Sequence, residues 1–164
     1  MPVVYLALGT NLGDRAENLR RALAALPPAF TVEAASPAYE TAPMYVTAQP
    51  NFLNMACRAQ TSLLPLEALR VLKLLETSLG REASIRFGPR LIDLDLLFYE
   101  DLVFESPELI LPHPRLHERT FVLVPLADIA PDFVHPVLKQ TIATLRDQLG
   151  DINDSIWPAQ MDAD

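Results

Sequence analysis

Apolar residues recur along the chain with two periods, one suited to strands and one to helices. Val3 to Leu8 is an unbroken apolar segment of strand length, followed by a turn over residues 9–14. Leu19, Leu23 and Leu26 then repeat at helical spacing. Asp14 and Glu17 ahead of them have the form of a capping box, and Pro27-Pro28 ends the run. Residues 30–39 and 52–61 are rich in β-branched, aromatic and small side chains and predict two strands, with a polar, proline-containing loop over 41–51 between them. Pro65 suits a first helical turn, Leu66, Leu69, Leu72, Leu75 and Leu79 fall on one helix face, and Gly80 supplies the stop. A basic loop over 81–90 leads into a strand over 91–99, with 101–104 expected to pair with it as a hairpin. Residues 106–118, broken by Pro107, Pro112 and Pro114, read as loop and short turns. Helices are expected over 121–129 and 141–149, and a loosely held tail from Asp151 onward.

Strands adjacent in sequence with helices between them predict one α+β domain. Its expected form is a ferredoxin-like antiparallel sheet with helices mainly on one face. We expect a core domain over 1–135 and an extension over 136–164 with a helix and a loose tail. The 164 residues are 50% hydrophobic, enough to bury a real core. No apolar run reaches the roughly 18 residues of a membrane span. The N-terminus shows neither a basic region nor a cleavable apolar one, and the single cysteine, Cys57, excludes an internal disulfide or a cysteine zinc cluster. These features predict a cytoplasmic protein. Thirteen Lys and Arg against 21 Asp and Glu give a net charge of −8, which disfavours nucleic acid or anionic membrane as partner. A small anionic substrate stays open where arginines cluster.

The strand over 91–99 carries two acids, Asp93 and Asp95. Side chains two apart on a strand share a face, so the carboxylates lie together, opposite Ile92, Leu94 and Leu96. Two carboxylates this close repel unless a cation intervenes. One reading is a platform for Mg²⁺, which often uses one or two carboxylates plus substrate phosphates. The other is an exposed sheet face whose acids pair with nearby arginines. Arg81, Arg86 and Arg90 stand just upstream, and a guanidinium fork suits phosphate oxygens. With a metal on the acids and phosphates bridging to the arginines, both signs of charge are used.

Residues 112–121 add His113, Arg115, His117 and Arg119 in a proline-stiffened segment. The histidine spacing suits zinc only on a helix, and Pro114 opposes one, so polyphosphate contacts are favoured. Thr41 with Gln49 to Asn54 offers amides and an aromatic ring that can bond and stack a flat heterocycle.

Several segments stand in the order of a known family: Tyr5 to Gly13, Thr41 with Pro43, Gln49 to Asn54, Glu76 with Leu79-Gly80-Arg81, Arg86 to Asp95, Pro112-His113-Pro114-Arg115, Glu118-Arg119 with Phe121, and Pro125-Leu126. On these the chain resembles the 6-hydroxymethyl-7,8-dihydropterin pyrophosphokinases of folate biosynthesis. The resemblance implies a monomer that moves the β,γ-pyrophosphoryl group of ATP to the pterin hydroxymethyl oxygen, releasing AMP. It implies two Mg²⁺ ions on Asp93 and Asp95, with Arg81 and Arg90 also catalytic. Glu76, Arg86, Arg90, Leu97, Ile110, His113 and Arg119 match ATP-side positions. Thr41, Pro43, Met44, Phe52, Asn54, Phe87, Asp93 and Phe121 match pterin-side positions. The chain departs from the family at Ala83, where a second arginine is frequent, at Phe87 for tryptophan, at Ala42 for proline and at Tyr45 for glycine. The proton acceptor stays open between Asp95 and a metal-activated alcohol. A Mg²⁺-dependent phosphohydrolase and a non-catalytic binding module are the competing readings.

Overall fold

A computed structural model describes residues 1–43, 45–81 and 88–160. The long strand β1 (Val3–Thr10) lies between β4 (Phe52–Gln60) and the edge strand β5 (Asp93–Tyr99), antiparallel to both. β4 continues the sheet to two short strands, β2 (Thr31–Ala35) and β3 (Tyr39–Thr41). These two replace the single strand expected over 30–39. Pro37 stands between them, and Ser36 bridges the gap by donating its N–H to Ala56 O and accepting from Ala56 N–H at Oγ.

The helices form where the leucine spacing placed them. α1 (Arg15–Ala25) begins at Asp14, whose carboxylate accepts the Glu17 N–H. α2 (Pro65–Ser78) begins with Glu67 accepting the Leu64 N–H. It ends in a left-handed Gly80, φ +103°, with Gly80 N–H bonded to Thr77 O and Arg81 N–H to Glu76 O. That pair of bonds is a Schellman closure. α3 (Thr120–Ile129) and α4 (Ile142–Asp147) follow, α4 capped by the Thr141 hydroxyl.

Helices cover both faces of the sheet rather than mainly one. α1 and α2 pack on Val4, Leu6, Leu8, Cys57, Leu94 and Leu96. α3 and α4 pack on Tyr5, Ala56, Leu97 and Phe98 at the far end of the other face. Each fully buried leucine contributes roughly 1.5–3 kcal/mol, so neither core is a minor one. Helical periodicity says that a stripe is buried, but not which sheet face receives it.

Two further segments differ from expectation. Residues 101–104 do not pair with β5: the chain turns at Glu100, φ +49°, and β6 (Phe104–Glu105) pairs instead with β7 (Ile110–Leu111). Past α4, β8 (Ile156–Pro158) pairs with β3, where a loose tail was expected, because burial of Ile156 and the β3 ladder hold it.

Candidate active site

Register explains why the two acids share an open face. Asp93 stands opposite Gly9, and Gly9 opposite Asn54, whose other neighbour is Tyr39. Asp95 stands opposite Ala7, and Ala7 opposite Ala56. The residues of β1 beside the carboxylates are thus small, which leaves room above the sheet. At Gly9 the room is required: a Cβ there would sit 2.7 Å from Asn54 Oδ1. Further along β5 the register slips, Tyr5 facing Phe98 and Leu6 facing Leu96, so Leu97 is an extra residue. This bulge turns Leu97 and Phe98 to the face of the acids, where α3 covers them. One end of that face is therefore core, and the other is an open cavity of ≈290 Å³.

The acids sit in a graded field. Glu76, buried on α2, accepts bonds from Arg81 Nη1 (2.6 Å), Leu94 N–H (2.7 Å) and Lys73 Nζ (3.2 Å). Burial still holds its carboxyl above the usual range. Arg81 Nη1 reaches on to Asp93 Oδ1 at 3.0 Å. Asp95 has no ion pair among the described residues. Burial first, then the neighbouring Asp93, pushes its carboxyl up to about 7 against the pull of Lys73 and Arg119. Across the cavity, His113 is fixed by its backbone N–H on Leu97 O, the carbonyl at the bulge (3.0 Å). Burial pushes its imidazole down to about 4, and its buried Nδ1 has no hydrogen-bond partner among the described residues. A neutral ring with an unused nitrogen at a cavity wall is a ready contact for a ligand.

The other wall is aromatic and amide. Asn54 Nδ2 donates to Thr41 Oγ1 at 2.7 Å, and Phe52 and Phe121 line the same space. Tyr39, in the row of Asn54, donates its hydroxyl to Asp128 and so ties β3 to α3; burial and that bond push the hydroxyl up to about 12. Arg119, just before α3, donates from Nε to the Tyr45 hydroxyl at 3.3 Å. Buried Asn11 joins the two loops beside the cavity. It accepts the Arg90 N–H at Oδ1 (2.8 Å) and donates to Gln49 Oε1 and Pro50 O (both 2.9 Å).

The structure brings together Arg81, Arg90, Asp93, Asp95, His113 and Arg119 around this cavity. Thr41, Phe52, Asn54 and Phe121 line it from the opposite side. Glu76 stands behind Arg81 instead of in the lining. Leu97 is core, Ile110 is exposed on β7 and Pro43 lies outside the lining. Met44, Arg86 and Phe87 lie outside the described residues. Sequence reasoning missed Ala7 and Gly9 as the residues that leave room, and Lys73 as a cation beside Glu76. Only strand register could have found the first two.

The acid pair fits a hard divalent cation. No group of three or more metal-type side chains occurs among the described residues, so other ligands would come from water or a bound phosphate.

An antiparallel α+β sheet whose open end gathers two acids, several arginines and an aromatic–amide wall defines a small-molecule-binding class suited to a ligand both charged and flat. The chain belongs to the 7,8-dihydro-6-hydroxymethylpterin-pyrophosphokinase (HPPK) family, whose model matches residues 5–131. It is 44% identical over 150 residues to the 2-amino-4-hydroxy-6-hydroxymethyldihydropteridine pyrophosphokinase of Bacillus subtilis, covering 90% of this chain and 87% of that one. It is 42% identical over 139 residues to the folic acid synthesis protein FOL1 of Dictyostelium discoideum, covering 85% of this chain. The chain spans only about a fifth of the length of that and similar curated relatives. In fold it is similar to wild-type Plasmodium falciparum HPPK-DHPS in its structure with pteroate, with a TM-score of 0.74, 19% identity, and coverage of 90% of this chain and 42% of that one. No helix among the described residues is long and apolar enough to cross a membrane.

Proposed function

We propose that the protein transfers the β,γ-pyrophosphoryl group of ATP to the hydroxymethyl oxygen of 6-hydroxymethyl-7,8-dihydropterin and releases AMP. One observation carries the reading: Asp93, Gly9 and Asn54 form a single cross-strand row, so a charge-handling wall and a ring-binding wall meet over one glycine. On the ring side, Asn54 and Thr41 bond the edge of the pterin and Phe121 stacks on its face. On the triphosphate side, Arg81, Arg90, Arg119 and the neutral His113 receive phosphate oxygens and hold the chain of phosphates in line with the hydroxymethyl group. Asp93 and Asp95 would hold Mg²⁺, two ions in the reading adopted here. Bound there, the metal neutralises phosphate charge that would otherwise face the acids.

The test is AMP release from Mg²⁺-ATP. Release that requires the hydroxymethyl-dihydropterin is the expected result. Phosphate or pyrophosphate released without pterin would favour a phosphohydrolase, and no turnover by folded protein would leave only a binding module.

A further inference from the structure

Tyr45 lies in the connection between β3 and β4, on the cavity side opposite the start of α3. Its ring centroid stands 5.6 Å from the Arg119 guanidinium carbon and 5.7 Å from that of Arg115. Its hydroxyl accepts from Arg119 Nε. The same Arg119 guanidinium lies 5.6 Å from the Phe121 ring. Arg119 is therefore held by two aromatic rings supplied by different parts of the chain, and Tyr45, Arg119 and Phe121 all line the cavity. Each ring attracts the cation by about 0.5–2 kcal/mol. The hydroxyl bond uses Nε alone, so the two terminal amino groups of the fork are the ones that can meet an anion. An unrestrained arginine loses about 2 kcal/mol of side-chain freedom when a ligand fixes it, and one fixed beforehand loses less.

We propose that Tyr45 is a positioning residue that pre-sets the Arg119 guanidinium for the phosphates of a nucleoside triphosphate. The inference rests on the pyrophosphokinase reading. Tyr45 does not touch the reacting atoms; it acts through Arg119. Glycine in its place would offer neither ring nor hydroxyl. Tyr45 is more than a third exposed, so its loss should leave the fold intact.

The experiment is calorimetric binding of a non-hydrolysable ATP analogue with Mg²⁺ to wild type, Tyr45→Gly, Tyr45→Phe, Arg119→Ala and the Tyr45→Gly/Arg119→Ala double variant, with thermal melts of each. Tyr45→Gly should weaken nucleotide binding about tenfold and Tyr45→Phe about threefold, at wild-type melting temperature. KM for ATP should rise with little change in kcat. In the Arg119→Ala background the same Tyr45→Gly change should cost less than about twofold, because the group it acts through is gone. An equal loss in both backgrounds, or no loss in either, would overturn the proposal. Failure of wild type itself to bind the analogue would overturn the pyrophosphokinase reading, and this inference with it.

Discussion

Asp93 and Asp95 are chemically identical and two residues apart, yet their surroundings separate them. Arg81 balances Asp93 at 3.0 Å, while burial and Asp93 itself hold the Asp95 carboxyl near 7. Below about pH 4 the folded and unfolded chains both keep the Asp95 proton. Between about pH 4 and 7 the unfolded chain releases it and the folded chain retains it. Stability is therefore lost as pH rises through this window, and the deficit is complete above about 7. Asp95→Asn removes the deficit. In chelator, its melting temperature should exceed wild type's at pH 8, with the margin vanishing near pH 4. Turnover should fall by about two orders of magnitude or more. A margin equal at both pH values would contradict this account. The acids were legible because alternation is a local rule. Tyr45 was visible only as a departure from a family pattern, since nothing local says which arginine its ring will meet.

At the scale of elements, the end of α2 sets the site most directly. The Schellman closure bonds Arg81 N–H to Glu76 O, and the Glu76 carboxylate holds the Arg81 guanidinium. Both depend on Gly80. A Cβ there would strain a backbone at φ +103° and meet Leu91 Cδ2 at 3.0 Å. Gly80→Ala should cost about 1 kcal/mol or more by thermal melt and weaken nucleotide binding as Arg81 shifts. A variant melting and binding as wild type would refute the link. α2 was readable from its leucines, its first-turn proline and this glycine. The expected hairpin after β5 failed because Phe104 has two apolar candidates to pair with, β5 and β7, and pattern alone does not rank them. The bulge at Leu97 was likewise hidden, since inserting one residue leaves the run of apolar letters unbroken.

For the whole molecule, one sheet serves two cores, with α1 and α2 behind it and α3 and α4 in front, the first turn of α3 bordering the cavity. A shared sheet should make them melt together. Leu72→Ala in one and Leu123→Ala in the other should each cost about 2–5 kcal/mol, and each variant should unfold in a single calorimetric transition. Two separate transitions would show the cores to be independent. The layered α+β plan was legible from element order. The assignment of helices to faces was not, because it depends on contacts between residues far apart in sequence. Arg81 and Asp93, linked by their salt bridge, also have a topological consequence. Their ion pair closes the stretch of chain between them into a ring. The entropy of such a ring grows only with the logarithm of its length, about 0.6 kcal/mol for each doubling. A change in the length of that ring should therefore cost the fold little, and the sheet that carries the acids should stay as it is.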